Sequence, residues 1–379
     1  MESNTKTVIF SANTSWYLYN FRQSTIKKFT ELGHQVICVS PSDPFSKKLI
    51  QLGAKHVHIS VDNKGINPFK DLLLIWQLLI TYKKFNPALI FHFTIKNNIY
   101  GSWAAFLMNK KFVNNITGLG TIFIKDNFIS KFVYLMYRLS QPLAEKIFCQ
   151  NSDDYELLIK NNLVSKEKLH ILPGSGVDLE LFHPKFLKKN FQSNEDDFRF
   201  IYCGRMIADK GLHELIDAFK KINNNEIRCK LWLCGFVDNK NHSSISLSAI
   251  DSWIKYPWIH WLGSSENVSE ILSECDCLVL PSYREGLPRS ILEACAMGLP
   301  VIATDVPGCR DIITDNYNGI LCEPKNTKSL SDAIQKMLNI PEDKRDQMGK
   351  NGRARVEKSY DENIVINNAL DCFAKISNN

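Results

Sequence analysis

Two carboxylates eight positions apart, Glu285 and Glu293, stand in the stretch PSYREGLPRSILEACAMGLPVIATDVPGCRD, Pro281 to Asp311. Glu285 is expected in the loop after a strand, and Glu293 inside a helix that begins near Pro288 or Arg289. The Gly286-Leu287-Pro288 turn places backbone N–H groups at a helix N-terminus, where the dipole favours anions. A buried carboxylate such as Glu293 needs hydroxyl or N–H partners, which a ribose diol would provide. A structural helix with a stray Glu fits the same residues.

A second block, CGRMIADKG, runs from Cys203 to Gly211. A strand delivers Gly204 and Arg205, and Lys210-Gly211 follows at the start of the next helix. Arg forks onto a phosphate and Lys adds a point charge, so the pair could offset a diphosphate leaving group without a metal. Two surface cations beside a turn would look the same. A Walker loop is excluded, because the Gly-rich run and the Lys-Ser/Thr ending are missing.

The third set lies in the front half, in HFTIKNN and NITGLGT. His92 and Lys96 follow one strand, and Thr117-Gly118-Leu119-Gly120 follows another. The TGLG turn lets backbone approach a ligand closely enough to hold a diphosphate through N–H groups. A lone His at a strand end also fits a structural role. Tyr19-Asn20-Phe21-Arg22 opens the first helix, where Arg22 is either an anion ligand or plain surface charge. The chain carries no Asp-x-Asp, His-Glu-x-x-His or Gly-x-Ser-x-Gly string, so hydrolase triads and catalytic metals have no support.

These residues need elements to hold them. Short β-branched runs (TVIFSA, HQVICVS, PALIFHFT, EKIFCQN) alternate with helical stretches such as YNFRQSTIKKFTELG and KDLLLIWQLLITYKKF. The alternation restarts with FRFIYCG, KGLHELIDAFKKI, KLWLCG, IHWLG, DCLVLPS and PVIAT. Such strand–helix order predicts parallel sheets covered on both faces. It predicts two doubly wound α/β domains facing each other across a central cleft, with ligands beyond the carboxyl ends of the strands. The expected boundaries are an N-terminal domain over 1–172, a linker over 173–198 and a C-terminal domain over 199–359. A terminal helix, about 360–379, is expected to pack back on the N-terminal domain.

The 379 residues suit more than one core. With 44% hydrophobic and 23% charged residues, the composition excludes disorder, collagen and coiled coil. The net charge of +6 is too small to argue for nucleic acid. It conceals an asymmetry: 21 basic against 11 acidic residues up to Leu172, and 25 against 29 from Pro173. A basic front half points to phosphate or an anionic membrane surface; solvated lysines are the alternative. Asn67 to Phe85 and Phe123 to Gln141 mix basic with large apolar residues as interfacial helices do, and as core helices with snorkelling lysines also do. The longest apolar stretch, Leu72 to Ile80, is too short to cross a bilayer. Eleven scattered cysteines and the absence of a charged apolar leader predict reduced thiols, a cytosolic location and no signal peptide.

Assembled in this order and spacing, the blocks resemble the retaining GT-B glycosyltransferases of family four. Almost the whole chain takes part, including the Pro-Gly-Ser-Gly-Val-Asp…Phe-x-Pro segment from Pro173. The resemblance implies that the C-terminal domain binds a nucleotide-sugar. Gly204, Arg205 and Lys210 would then meet its diphosphate, Glu293 its ribose and Glu285 the transferred sugar, with Gly286, Leu287 and Pro288 also lining the donor. Glu285, Arg205 and Lys210 are thereby the expected catalytic residues. Tyr19 to Arg22, Thr117 to Gly120 and Glu285 to Ser290 are further similar to enzymes that extend sugars on undecaprenyl diphosphate, in N-glycan, O-antigen or capsule assembly. That implies a lipid-linked acceptor near Asn13, Tyr19, Arg22, His92, Lys96 and Thr117, Gly118, Leu119 and Gly120. Ser11 to Ser15 replaces a Gly-Gly turn common in the family. The implied activity is metal-independent, retaining transfer of a hexose or N-acetylhexosamine, GalNAc or GlcNAc α-linked, from a UDP-sugar. No cofactor, metal or nucleic acid is implied, and the implied place is the inner face of the bacterial plasma membrane. A sugar-nucleotide epimerase or hydrolase, and a non-catalytic nucleotide-sugar binder, are the competing classes.

Overall fold

The computed structural model describes residues 5–62, 67–119, 128–187, 198–223, 229–238 and 243–377. These form two compact units, Met1–Ser175 with Glu362–Asn379, and Gly176–Asp361.

The first unit is built on parallel strands β1 Thr7–Ser11, β2 Gln35–Ser40, β3 Lys55–His58, β4 Leu89–Phe93, β5 Phe112–Asn115, β6 Lys146–Cys149 and β7 Leu169–Ile171. Their order in the sheet is β3-β2-β1-β4-β5-β6-β7. In register, Val8 sits between Val36 and Leu89, and Phe10 between Cys38 and Phe91. The central strands are buried along their length because helices cover both faces. The helix Ser15–Glu31 is started by Thr14, whose hydroxyl accepts from the Tyr17 N–H. The helix Pro68–Phe85 starts on an Asn67 cap and stops at Asn86, which adopts left-handed backbone with φ 44°.

The second unit repeats the plan with β8 Arg199–Cys203, β9 Lys230–Cys234, β10 Ile259–Gly263, β11 Cys277–Leu280, β12 Val301–Thr304 and β13 Gly319–Cys322. Its order is β10-β9-β8-β11-β12-β13, again all parallel. Each unit is thus a doubly wound α/β sheet whose strand order reverses at one point, between β1 and β4 and between β8 and β11. Neighbouring loops there leave in opposite directions and open a crevice, which is where such sheets hold ligands.

The terminal helix Glu362–Ser377 belongs to the first unit. Phe373 meets Phe29 edge-on at 5.2 Å, and Ser24 donates to Glu362 at 2.7 Å. The linker expected over 173–198 needs correction. Val177 and Phe182 are buried in the second unit's core, and the Val177 N–H donates to the Tyr360 carbonyl. The chain therefore changes units at Ser175–Gly176, and the stretch to Leu187 is packed structure; 188–197 lie outside the described residues. Strands β3 and β13 were not expected from the sequence. Both lie at a sheet edge, where the alternation is weak.

Candidate active site

At the reversal point of the second unit, β8 delivers Gly204 and Arg205, and β11 delivers the loop from Pro281 to Gly286. Glycine lets these loops touch. Gly211 has φ +71°, and a Cβ there would lie 2.1 Å from the Pro281 carbonyl oxygen. Gly308, φ +80°, presses against the Gly286 carbonyl in the same way. Both positions need left-handed backbone and the space that only a missing side chain leaves.

The contact between loops brings Lys210 and Glu285 into a direct ion pair between Nζ and Oε1, with both side chains mostly buried. The Glu285 loop is anchored on each side. The Tyr283 N–H donates to the Asp209 carbonyl at 2.9 Å, and the Tyr283 hydroxyl donates to Glu214 Oε1 at 2.7 Å. The Thr304 hydroxyl donates to the Ser282 carbonyl, and Lys325 Nζ lies 4.8 Å from the centre of the Tyr283 ring. Arg205 has its side chain in solvent at the same strand end, while its carbonyl accepts from the Tyr202 hydroxyl at 2.7 Å.

Pro288 caps the helix Arg289–Ala296 with extended backbone, as its fixed φ favours. One turn in, Glu293 is 9% exposed and pairs with Arg289 Nε at 2.7 Å. Burial raises the Glu293 carboxyl above its ordinary range, and the Arg289 charge opposes that shift. Leu287 is half-buried against the second unit's core. The structure thus joins Lys210 with Glu285, sets Glu293 on its own cation, and leaves Arg205 outward.

The first unit treats its expected residues less evenly. Arg22 is buried: Nη1 donates to the Gly174 carbonyl at 3.0 Å, Nη2 to the Tyr17 hydroxyl at 3.4 Å, and the guanidinium lies 4.6 Å from the Phe93 ring centre. Asn13 is half-buried in the loop after β1. Tyr19 is half-buried against Phe45 at 5.6 Å, with Lys48 over its ring. Lys96 Nζ donates to Asp71 Oδ1 at 2.5 Å, and the Tyr100 hydroxyl donates to Asp71 Oδ2 at 2.8 Å. Thr94, between β4 and Lys96, holds φ +69°, a strained conformation for a β-branched residue.

The acceptor role expected of His92 is corrected. Its ring is sealed in the core, with Nε2 on the Tyr82 hydroxyl at 2.9 Å and Nδ1 on Asn114 Oδ1 at 3.0 Å. Burial pushes its pKa down to about 4, so the ring is a neutral structural element. Leu119 is also buried, and its N–H is taken by Asp154 Oδ2 at 3.1 Å, which removes it as a phosphate donor. Thr117 and Gly118, φ +117°, remain half-buried at the end of the loop after β5. Gly120 lies outside the described residues.

Residues 7–151 match the family described as glycosyl transferase 4-like, and residues 185–355 match glycosyl transferases group 1. The two matches fall one on each unit. The chain is a GT-B glycosyltransferase of this group.

Among curated relatives, the chain is 28% identical to the N,N'-diacetylbacillosaminyl-diphospho-undecaprenol alpha-1,3-N-acetylgalactosaminyltransferase of Campylobacter jejuni, over 98% of this chain and 99% of that one. It is 27% identical to the UDP-Gal:alpha-D-GlcNAc-diphosphoundecaprenol alpha-1,3-galactosyltransferase of Escherichia coli, over 79% of this chain and 77% of that one. Of solved structures, Anabaena HepE in complex with UDP and glucose superposes with a TM-score of 0.78 at 17% identity, covering 98% and 100% of the two chains. A Rickettsia africae glycosyltransferase gives 0.75 at 19% identity, covering 98% and 99%. At these identities the solved structures establish the fold alone.

In this glycosyltransferase three site residues escaped sequence reasoning: Arg289, Tyr283 and Glu214. Arg289 had a local signal, since a cation four positions before Glu293 shares its helix face. Tyr283 and Glu214 are far apart in sequence and had none. Among the described residues no group of three His, Cys, Asp or Glu side chains is placed to hold a metal ion.

Proposed function

We propose that this glycosyltransferase moves a hexose or N-acetylhexosamine, GalNAc or GlcNAc in α-linkage, from a UDP-sugar to an undecaprenyl-diphosphate-linked saccharide, with retention at the anomeric carbon. The observation that carries the proposal is the Lys210–Glu285 pair at the strand-order reversal, with Glu285 eight positions before buried Glu293. Breaking the anomeric C–O bond leaves positive charge on the sugar and negative charge on the departing UDP. Lys210, with Arg205 reaching in from solvent, neutralises the diphosphate without a metal ion. Glu285, released from Lys210 as the diphosphate takes that cation, accepts from sugar hydroxyls. Glu293 accepts from the ribose diol, which offsets the cost of keeping a carboxylate buried. The Gly286-Leu287-Pro288 turn lets backbone follow the donor.

The acceptor assignment is supported by the two relatives, whose names specify diphospho-undecaprenol substrates, and by the basic front half of the chain. Asn13, Tyr19, Lys96, Thr117 and Gly118 are the first-unit groups assigned to it; Arg22, expected beside them, is instead buried on the Gly174 carbonyl, the Tyr17 hydroxyl and the Phe93 ring. Among the described residues no helix is long and apolar enough to cross a membrane. On this reading the enzyme meets its lipid-linked substrate as a peripheral protein at the inner face of the plasma membrane, in surface-glycan or protein-glycan assembly.

Screening UDP-sugars against a panel of lipid-linked acceptors, with the product linkage determined, tests the whole proposal. Arg205→Ala and Lys210→Ala should each lower transfer by about a hundredfold or more, with circular dichroism and thermal unfolding unchanged for Arg205→Ala. Full activity in either variant would sink it. Rapid UDP-sugar turnover without acceptor would favour an epimerase or hydrolase instead.

A further inference from the structure

The helix Pro68–Phe85 is apolar on both sides. Its inner face carries Leu74, Leu78 and Tyr82 into the first unit's core. Phe69, Leu72, Leu73, Trp76 and Ile80 recur at intervals of three and four, which sets them in one row along the opposite face. That row is in solvent: Phe69 is 81% exposed, Leu72 62% and Trp76 58%. The helix Ser102–Leu107 packs against the same long helix, and its Phe106 and Leu107 are also exposed. Behind those two, Lys110 Nζ donates to Asn86 Oδ1 at the end of the long helix. Scattered exposed apolar residues are ordinary, but a contiguous row of this size marks a surface that something covers.

Charge identifies the cover. Lys70, Lys83 and Lys84 frame the row, and Lys110 joins them at its C-terminal end. Lys70 lies 3.1 Å from Asp62 in the preceding loop. The helix has a single acid, Asp71, which faces inward and holds Lys96 and Tyr100. A second copy of the chain packed on this face about a two-fold axis would set these lysines against one another without an acid of the helix between them. An anionic phospholipid surface instead accepts the large side chains below its headgroups and the lysines at headgroup level.

We propose that the exposed face of Pro68–Phe85, extended by Phe106 and Leu107, docks this enzyme on anionic phospholipid. The inference rests on the membrane-bound acceptor proposed above and names the surface that reaches it. It also gives Asp71 a second consequence: the docked helix is the one that orients Lys96, so the bilayer and this acceptor-side cation share one rigid element.

The test uses the full chain with vesicles of phosphatidylglycerol and phosphatidylcholine, against pure phosphatidylcholine, in a co-sedimentation assay. The wild type should sediment with the anionic vesicles and be released by salt. Leu72→Ser combined with Trp76→Ser should weaken association by about tenfold or more, and Lys83→Ser with Lys84→Ser by about tenfold. Leu181→Ser with Leu247→Ser, exposed in the second unit, should bind as wild type. All these side chains are in solvent, so thermal unfolding should stay constant across the set. A wild type that ignores anionic vesicles, or face variants that bind undiminished, would overturn the assignment. So would a dimer in sedimentation velocity that the face variants dissolve. Transfer to a detergent-solubilised acceptor should be unchanged in the face variants; its loss in step with vesicle binding would mean that the face holds acceptor rather than bilayer. A wild type that binds anionic vesicles yet transfers to no lipid-linked acceptor leaves docking standing and removes the acceptor proposal alone.

Discussion

Single residues in this enzyme are distinguished by what surrounds them. His92 has both ring nitrogens on neutral partners inside the core, and burial holds its pKa at about 4 against an ordinary 6.5. Below pH 6.5 the unfolded chain takes up this proton and the folded one does not. The His92 contribution is therefore complete above pH 6.5 and is lost as pH falls toward 4, amounting to roughly 3 kcal/mol at the acid end. Urea midpoints measured across that window should show a shallower pH slope for His92→Gln than for wild type. An identical slope would mean that the ring is solvated. Glu293 has the opposite sign. Burial raises its pKa, so ionising it costs stability as pH rises, a cost that the proposed ribose contact would offset. Glu293→Gln should raise the KM for the UDP-sugar by about tenfold without lowering the thermal midpoint; an unchanged KM would remove Glu293 from the donor site.

Elements set the geometry that these residues use. Gly211 joins the turn Ala208–Lys210 to the helix Leu212–Ile222 in a left-handed conformation, its Cα against the Pro281 carbonyl. Adding a methyl there both strains the backbone and pushes the two loops apart, which separates Lys210 from Glu285. Gly211→Ala should destabilise the protein by about 3 kcal/mol or more in urea denaturation and abolish transfer. The loop contacts of Tyr283 with Asp209 and Glu214 act in the same direction from the other side. Both loops sit at the reversal of strand order because the parallel topology leaves only that crevice unfilled.

At the scale of the whole molecule, the chain leaves its first unit at Ser175 and returns to it at Glu362. Val365, Cys372 and Phe373 fill the same apolar cluster as Phe29, Val36 and Leu89. Ending the chain after Asp361 uncovers that cluster. At about 1.5–3 kcal/mol per buried side chain, a loss of several kcal/mol should lower the unfolding temperature by about 10 °C or more. A calorimetric trace unchanged by the truncation would show that the helix contributes nothing. All eleven cysteines are buried thiols with no disulfide among them, so a thiol reagent should titrate few of them in the native protein and all of them in guanidinium.

The two loop blocks of the second unit, their order, and the strands that carry them were legible in the sequence. Strand and helix periodicity, glycine and proline punctuation and the spacing of Glu285 from Glu293 are local properties of the chain. So was the tandem of two parallel sheets, except for the edge strands β3 and β13, whose short, weakly alternating runs carry little signal. Only the tertiary structure decided which polar groups keep water and which lose it. It turned Arg205 outward and set Lys210 on Glu285; it sealed His92 and Leu119 inside, gave Lys96 to Asp71, and laid the Phe69–Ile80 row in solvent. Burial and choice of partner depend on residues distant in sequence, such as Tyr82 for His92 and Glu214 for Tyr283. A pattern read along one strand or one helix does not contain them.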